Sequence, residues 1–246
     1  MIVLRRRAAR ADRQQLGRPG RPFPIWLATM TAPLASPPVP EPPAAAEAVA
    51  VSIADALAEQ GWAVTPAFLS ADEARALLAD GLARREAFRQ AGIGRGDEHH
   101  VRTAVRGDEV LWMDPSAPSP AQRVYLDRME HLRTTLNRTL FLGLFAYEAH
   151  FAVYPPGAFY KRHLDAFHGR GKGRTLSCVL YLNEGWSDAD GGHLRLYLDG
   201  DRLEPFVDVR PEAGTLVTFL SEQFEHEVLT AHRERASATG WFSVRT

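Results

Sequence analysis

Tyr154-Pro-Pro-Gly-Ala-Phe-Tyr-Lys-Arg-His163-Leu-Asp165 is the stretch on which the reading of this chain turns. It ends in His-x-Asp, two metal-capable side chains one residue apart. Successive strand side chains point to opposite faces, so residues i and i+2 share one. On a strand, His163 and Asp165 therefore present an imidazole nitrogen and a carboxylate oxygen to the same ion. The pattern alone is weak, because chance His-x-Asp matches are common. Its weight depends on a third ligand, a co-substrate site and a barrel to hold them.

Outward from this stretch the chain reads as β. From Ala146 onward, short strand-like runs are separated by Gly, Pro, Asp and Asn. They are Tyr147–Tyr154, Phe159–Leu164, Thr175–Leu182, His193–Leu198, Pro205–Val209, Thr215–Phe219, His226–Leu229 and Arg235–Val244. Upstream the signals are helical. Ala44 to Gln60 reads as a helix stopped by Gly61. Trp62-Ala-Val-Thr is a short strand. Ser70-Ala-Asp-Glu73 is a capping box opening a helix to about Gln90, with Ala74, Leu77, Leu78, Leu82 and Phe88 as its apolar stripe. Ser119-Pro-Ala-Gln122 repeats the device, with Pro at the first helical position, and opens a helix to about Arg138. Its apolar positions are Val124, Leu126, Met129, Leu132 and Leu136. Helices first and about eight strands after them predict an α+β fold, a closed or sandwich-like β core with helices on one side.

Composition bounds the function. Of 246 residues, 45% are hydrophobic and 24% charged, ordinary for a globular chain. Residues 1–22 carry seven arginines and one acid, Asp12, a net +6 that leaves −7 for the remainder. A mildly acidic body argues against nucleic acid as the main partner. No run approaches the ~18 apolar residues of a membrane span. The short run Ile25–Met30, bracketed by prolines, is not read as an export signal. With Cys178 as its one cysteine the chain forms no internal disulfide, which fits a reducing, cytoplasmic setting. Residues 1–45, rich in Arg and then in Pro and Ala, are read as a disordered tail, with Met30 an alternative start. Residues 46–246 are read as one domain, with helical support over 46–140 and the β core over 141–246.

His226, in Phe224-Glu-His226-Glu-Val228, is the candidate third ligand. Antiparallel strands of one sheet bring residues together that are distant in sequence. Two neutral imidazoles and one carboxylate on one face of an ion form the facial triad of non-haem Fe(II) oxygenases, with open positions left over. A structural zinc site closes its shell with four ligands, usually including Cys, and no Cys lies near this cluster. Mn(II) and Co(II) also suit the donor set. Arg235 adds a second signal. By alternation it shares a face with Ser237, Thr239 and Trp241. An arginine inside a barrel is costly unless an anion pairs with it. A dicarboxylate co-substrate is such an anion, and a guanidinium holds a carboxylate bidentately. On Thr175–Leu182, the Thr175, Ser177, Val179 and Tyr181 face is semi-polar and suits that pocket, with the Tyr181 hydroxyl as a second carboxylate partner. The opposite face makes Cys178 a buried core thiol.

Taken together, Tyr154-Pro-Pro-Gly, Phe159-Tyr-Lys-Arg-His-Leu-Asp165, Tyr181-Leu-Asn183 with Trp186, Gly191-Gly192 with Leu194-Arg-Leu196, His226-Glu-Val228 and Arg235 through Trp241 resemble the Fe(II)/2-oxoglutarate-dependent dioxygenases of the prolyl 4-hydroxylase type. The likeness is to the bacterial relatives of the hypoxia-sensing prolyl hydroxylases. It runs from Trp62 and is tightest from Ala152 to Phe242. It implies a double-stranded β-helix (jelly-roll) core with N-terminal helices packed on one side. It implies His163, Asp165 and His226 as iron ligands, Arg235 and Tyr181 on the distal carboxylate of 2-oxoglutarate, and Tyr154 lining that pocket. Arg106 and Asp108 match a mobile substrate loop, and Arg174 and Trp241 are expected at the substrate. The implied reaction hydroxylates a prolyl residue of a protein or peptide with O2, releasing succinate and CO2, with L-ascorbate keeping the iron reduced. A monomer is expected, with no nucleic-acid or membrane partner. The chain departs from its relatives at Glu225 and Thr230, where they often carry Pro. Such changes affect loop rigidity more than chemistry.

The remaining candidates have plainer readings. Gly92 to Pro118 is either a surface hairpin turning at Gly107-Asp108 or a finger that closes over substrate. His193 is a strand side chain, His168 belongs to a solvated Gly-rich loop, and His99-His100 to a polar surface loop. Gly169-x-Gly171-x-Gly173 is no phosphate loop, since no helix start follows it. Three other functions suit parts of the pattern. The same chemistry on a free amino acid or small molecule differs only in the outer pocket. A metal-binding module without turnover is disfavoured by Arg235 and Asp165 being present. A metal-dependent isomerase or hydrolase wants a general base, for which Glu225 and Glu227 are the candidates.

Overall fold

The structure, a computed structural model, describes residues 44–92, 105–166, 173–200 and 202–245. The tail reading and those for His99, His100, His168, Gly169 and Gly171 fall outside them, except that Ala44 and Ala45 already belong to a helix. The described elements are helices α1 (Ala44–Gln60), α2 (Ala71–Leu82) and α3 (Pro120–Leu140), and strands β1 (Trp62–Thr65), β2 (Arg89–Gln90), β3 (Glu109–Trp112), β4 (Leu144–Tyr154), β5 (Tyr160–His163), β6 (Arg174–Tyr181), β7 (Leu194–Tyr197), β8 (Phe206–Val209), β9 (Leu216–Leu220), β10 (His226–Val228) and β11 (Arg235–Val244). A compact unit extends from Glu41 to Thr246. No helix among the described residues is long and apolar enough to cross a membrane.

Local chemistry sets the helix boundaries. In α1, Ala50, Ile53, Ala54 and Leu57 recur at helical spacing and are buried. The helix stops at Gly61, whose positive φ of 81° favours glycine and whose N–H donates to the Leu57 carbonyl at 3.0 Å. At α2 both arms of the capping box form: Glu73 N–H donates to Ser70 Oγ at 3.2 Å, and Ser70 N–H to the Glu73 carboxylate at 2.8 Å. The helix expected to about Gln90 ends at Leu82. The chain turns there so that Phe88 enters the core from a loop, and Arg89–Gln90 joins β3 as an edge strand. The second capping box is half formed. Ser119 accepts from Gln122 N–H, but the Gln122 amide donates to Asp80 instead of returning. The expected α3 stripe holds at Met129, Leu132 and Leu136 and differs nearer the start of the helix. Tyr125, Met129, Leu132 and Leu136 are wholly buried, whereas Val124 is 39% exposed.

Strands β4 to β11 form the jelly roll. One sheet runs β1-β9-β6-β11-β4-β3-β2, the other β5-β10-β7-β8. The outer face of the large sheet packs on the helices through Leu176, Cys178, Leu180, Phe151, Phe242, Leu77 and Leu132. Its inner face meets the small sheet through Val179, Tyr181, Val217, Phe219, Leu194 and Leu196. Each fully buried Leu or Phe contributes about 1.5–3 kcal/mol. The helices thus cover one face of the large sheet and leave the other to the site.

Register then places side chains in rows across that inner face, because paired residues share a face. Tyr154 pairs with Arg235, and Ser237 lies between Ala152 and Tyr181. His150 and Val179 flank Thr239, and Glu148 and Ser177 flank Trp241.

The surface hairpin expected at Gly107-Asp108 is corrected. Residues 105–108 pair with β5: Lys161 N–H donates to the Val105 carbonyl at 2.9 Å, Gly107 N–H to that of Phe159 at 3.0 Å, and Arg106 bridges Tyr160. The next four residues, β3, pair with β4. This segment therefore crosses from the edge of one sheet to the edge of the other and closes the seam beside the β4–β5 turn. Asp108 is wholly buried there and accepts two hydrogen bonds from Arg106, at 2.6 and 2.8 Å. Burial alone would lower the Arg106 pKa, but the Asp108 carboxylate holds it far above its ordinary value. Removing one partner of a buried pair strands the other charge, at roughly 3–5 kcal/mol. Asp108→Ala is expected to lose stability of that order in urea unfolding. A direct substrate contact would instead leave unfolding unchanged and raise only substrate KM.

Candidate active site

His163 is the last residue of β5 and pairs directly opposite His226, the first of β10. This antiparallel register brings two imidazoles together across 63 residues of sequence. Asp165 does not sit on the strand as the i, i+2 argument supposed. It lies in a bend two residues past the strand end, turned back toward the two rings. The three ligand atoms lie within 4.8 Å of one another. His163 Nε2 is 3.6 Å from Asp165 Oδ1, and His226 Nε2 is 3.7 Å from Oδ2.

The surroundings orient each donor. His163 Nδ1 lies 2.8 Å from the Lys161 carbonyl, and His226 Nδ1 3.2 Å from that of Phe224. With Nδ1–H donating to a carbonyl, both Nε2 lone pairs are free for a metal, a common arrangement at metal-ligating histidines. Burial first, then His163, push His226 down to about 4, so the ring is neutral near pH 7. Burial alone would raise the Asp165 carboxyl, but the His226 and His163 rings and the Trp241 indole hold it well below the usual carboxylate range. Asp165 Oδ2 accepts from Ser177 Oγ at 2.7 Å and from Trp241 Nε1 at 2.8 Å. Tyr160 stacks on His163 with ring centroids 3.6 Å apart, and the Arg106 guanidinium lies over Tyr160.

Trp241 therefore holds the carboxylate, a task the sequence reading did not assign when it placed this residue at the substrate. Outer partners of ligands typically change metal affinity by 10–100-fold. Trp241→Phe keeps the ring and deletes the N–H, and should weaken Co(II) binding about tenfold in an absorbance titration. Arg174 lies over the same indole at 3.5 Å and donates to Glu148 at 2.8 and 3.0 Å.

Deeper along the inner face sits Arg235, 1% exposed. Its Nε–H donates to the Gly192 carbonyl at 2.8 Å. Gly192 itself, at φ +65°, leaves room for this side chain, since a Cβ there would lie 3.0 Å from Arg235 Cδ. Tyr154 and Tyr181 flank the guanidinium, with ring centroids 5.0 and 5.1 Å away. Arg235 Nη2 and the Tyr181 hydroxyl are buried with no hydrogen-bond partner, and no carboxylate pairs with Arg235 among the described residues. Burial raises the Tyr181 phenol to about 12, so it is a donor near pH 7. A buried cation and a buried hydroxyl, both with unspent donors, fit a carboxylate group. The three-ligand cluster fits a six-coordinate metal with open positions.

Neither candidate base serves a hydrolase or isomerase. Glu225 is ion-paired with Arg162, and Glu227 accepts from the Tyr197 hydroxyl at 2.6 Å. Glu225 thereby ties β5 to β10, a defined contact where a loop effect was expected. His193 lies outside the cluster and contacts Asp188 at 3.2 Å. Tyr160 and His150 were missed by the sequence reading. Counting back by twos from Tyr154 reaches His150, so a signal for its face was present.

A jelly roll with two imidazoles, one carboxylate and a buried unpaired guanidinium on its inner face defines a metal- and oxo-acid-dependent oxygenase architecture. The comparisons agree. A profile described as the 2OG-Fe(II) oxygenase superfamily matches residues 149–243. A crystal structure of a Pseudomonas putida prolyl-4-hydroxylase is 46% identical, with 80% of this chain and 100% of that one covered, at a TM-score of 0.71. Egl nine homolog 1 of Mus musculus is 31% identical over 146 residues, covering 56% of this chain and 35% of that protein, so this chain spans about a third of that relative's length. A Trichoplax adhaerens prolyl hydroxylase, crystallised with a hypoxia inducible factor peptide, shares the fold at 24% identity and a TM-score of 0.70. The chain belongs to the 2OG-Fe(II) oxygenase superfamily, a membership that implies Fe(II), 2-oxoglutarate and O2.

Proposed function

We propose that this protein hydroxylates a prolyl residue of a protein or peptide, consuming 2-oxoglutarate and O2 and releasing succinate and CO2. The observation that carries the reading is the 46% identity to a crystallised Pseudomonas putida prolyl-4-hydroxylase chain that is covered in full. The site supports it residue by residue. His163 Nε2, Asp165 and His226 Nε2 hold the metal. Ser177 and Trp241 fix the carboxylate by occupying Oδ2. Arg235 and Tyr181 bind the distal carboxylate of 2-oxoglutarate, and Tyr154 walls that pocket. When bound, the iron supplies the oxidising chemistry that breaks a C–H bond and returns a hydroxyl group. The protein contributes orientation, a dry inner face and fixed charges. L-ascorbate would keep the iron reduced.

The test is direct. Protein loaded anaerobically with Fe(II) and 2-oxoglutarate should show a weak visible charge-transfer band, discharged by O2 with release of succinate. Incubation with lysate proteins should add 16 Da to proline-containing peptides. Succinate release stimulated by a free amino acid, with no such peptide adduct, would move the substrate to the small-molecule class.

A further inference from the structure

His150 is the buried titratable group that nothing above uses. It lies at the middle of β4, on the inner face of the large sheet, opposite Thr239 on one side and Trp112 on the other. It is 2% exposed, yet neither Nδ1 nor Nε2 has a hydrogen-bond partner. Its ring packs against two indoles, Trp112 at 4.8 Å and Trp241 at 5.4 Å, which also face each other at 6.4 Å. The three rings form one cluster. Trp241 donates to the candidate ligand Asp165, whereas Trp112 is 51% exposed. The imidazole is therefore one ring of an aromatic cluster that runs from an exposed indole to the indole holding Asp165. Burial first, then the Arg106 and Arg174 charges, press it down to about 3, against the opposing pull of Asp165. The ring is neutral near pH 7 and carries one N–H donor and one bare acceptor nitrogen.

A buried polar side chain with neither nitrogen paired carries an unrecovered desolvation penalty. An apolar side chain against the same two indoles would not. We propose that His150 is a specificity-determining residue of the substrate chamber, which hydrogen-bonds the peptide backbone beside the target proline. One donor and one acceptor complement a peptide C=O and N–H. The ring's neutrality lets it meet an uncharged group without adding to the cationic field of Arg106 and Arg174. This rests on the prolyl reading and names a recognition element within it.

The test uses His150→Leu, which keeps bulk and deletes both polar atoms, and His150→Gln, which keeps a donor and an acceptor. The probe is a pool of short peptides, each with one central proline, scored by mass gain of 16 Da. His150→Leu should raise the apparent peptide KM about tenfold or more, the scale of one lost hydrogen bond, with kcat changed less. His150→Gln should recover much of that loss. The anaerobic Fe(II)–2-oxoglutarate band should persist in both, and substrate-free His150→Leu should unfold at the same or a higher temperature than wild type. A leucine variant with peptide KM within about threefold of wild type overturns the inference. So does a lower unfolding temperature together with loss of the band, which would make the ring a structural member of the core. If wild type modifies no peptide of the pool, the prolyl reading itself falls and takes this inference with it.

Discussion

Asp165→Ala is expected to abolish turnover and to weaken metal binding by about a hundredfold or more. The carboxylate is the only anionic donor among the three residues of the cluster. Its loss also strands the Trp241 indole N–H, aimed at Oδ2, and leaves the Ser177 hydroxyl with Ser221 as its remaining partner. Changes to such outer partners alone typically cost 10–100-fold in affinity, so removal of the ligand itself should exceed that range. Co(II) titration by absorbance and the anaerobic charge-transfer band report metal and co-substrate binding separately from catalysis. A variant with the wild-type band would remove Asp165 from the ligand set. His163→Ala should behave alike, because its Nε2 is oriented from behind by the Lys161 carbonyl and by Tyr160 stacking.

Arg235→Met should separate binding from stability. In the co-substrate-free protein the guanidinium is buried with one donor nitrogen unpaired. Replacing an uncompensated buried charge with an apolar side chain of similar length is often neutral or stabilising. Unfolding without co-substrate should therefore occur at the same or a higher temperature. Binding of 2-oxoglutarate should suffer heavily. Two charge-assisted hydrogen bonds at about 1.5–3 kcal/mol each correspond to roughly 10²–10⁴-fold in KM. Saturating 2-oxoglutarate raises the wild-type unfolding temperature by mass action, and the variant should lose that shift. A 2-oxoglutarate KM within a few fold of wild type would place the distal carboxylate elsewhere.

Local chemistry wrote much of this fold into the residue order. The α1 boundaries, the Ser70–Glu73 capping box and the bounds of β11 follow from caps, glycines and period-two alternation, which act within a few residues of themselves. The same alternation sorted Cys178 into the helix-facing core and Tyr181 into the site. It misread the end of α2, because whether Phe88 reaches the core from a helix or from a loop depends on what β3 offers Arg89–Gln90 as a partner. It chose Val124 over Tyr125 at the start of the α3 stripe, because Tyr125 is held inward by a 2.5 Å hydrogen bond to Tyr147, a residue of β4.

By itself, the sequence determined the site's donor types: two imidazoles, a carboxylate and an arginine that has to find an anion. The tertiary structure decided what those side chains do to one another. Register across β5 and β10 set His163 against His226, and a bend past the strand end brought Asp165 to both. The crossing of residues 105–112 between sheets buried Asp108 with Arg106 in the seam, and the β3–β4 register set His150 opposite Trp112, with Trp241 packed against both. The division has a physical cause. Donor type and strand face are properties of single residues and their near neighbours. Which donor meets which depends on pairing between segments far apart in the chain, where a shift of one residue turns every side chain to the opposite face.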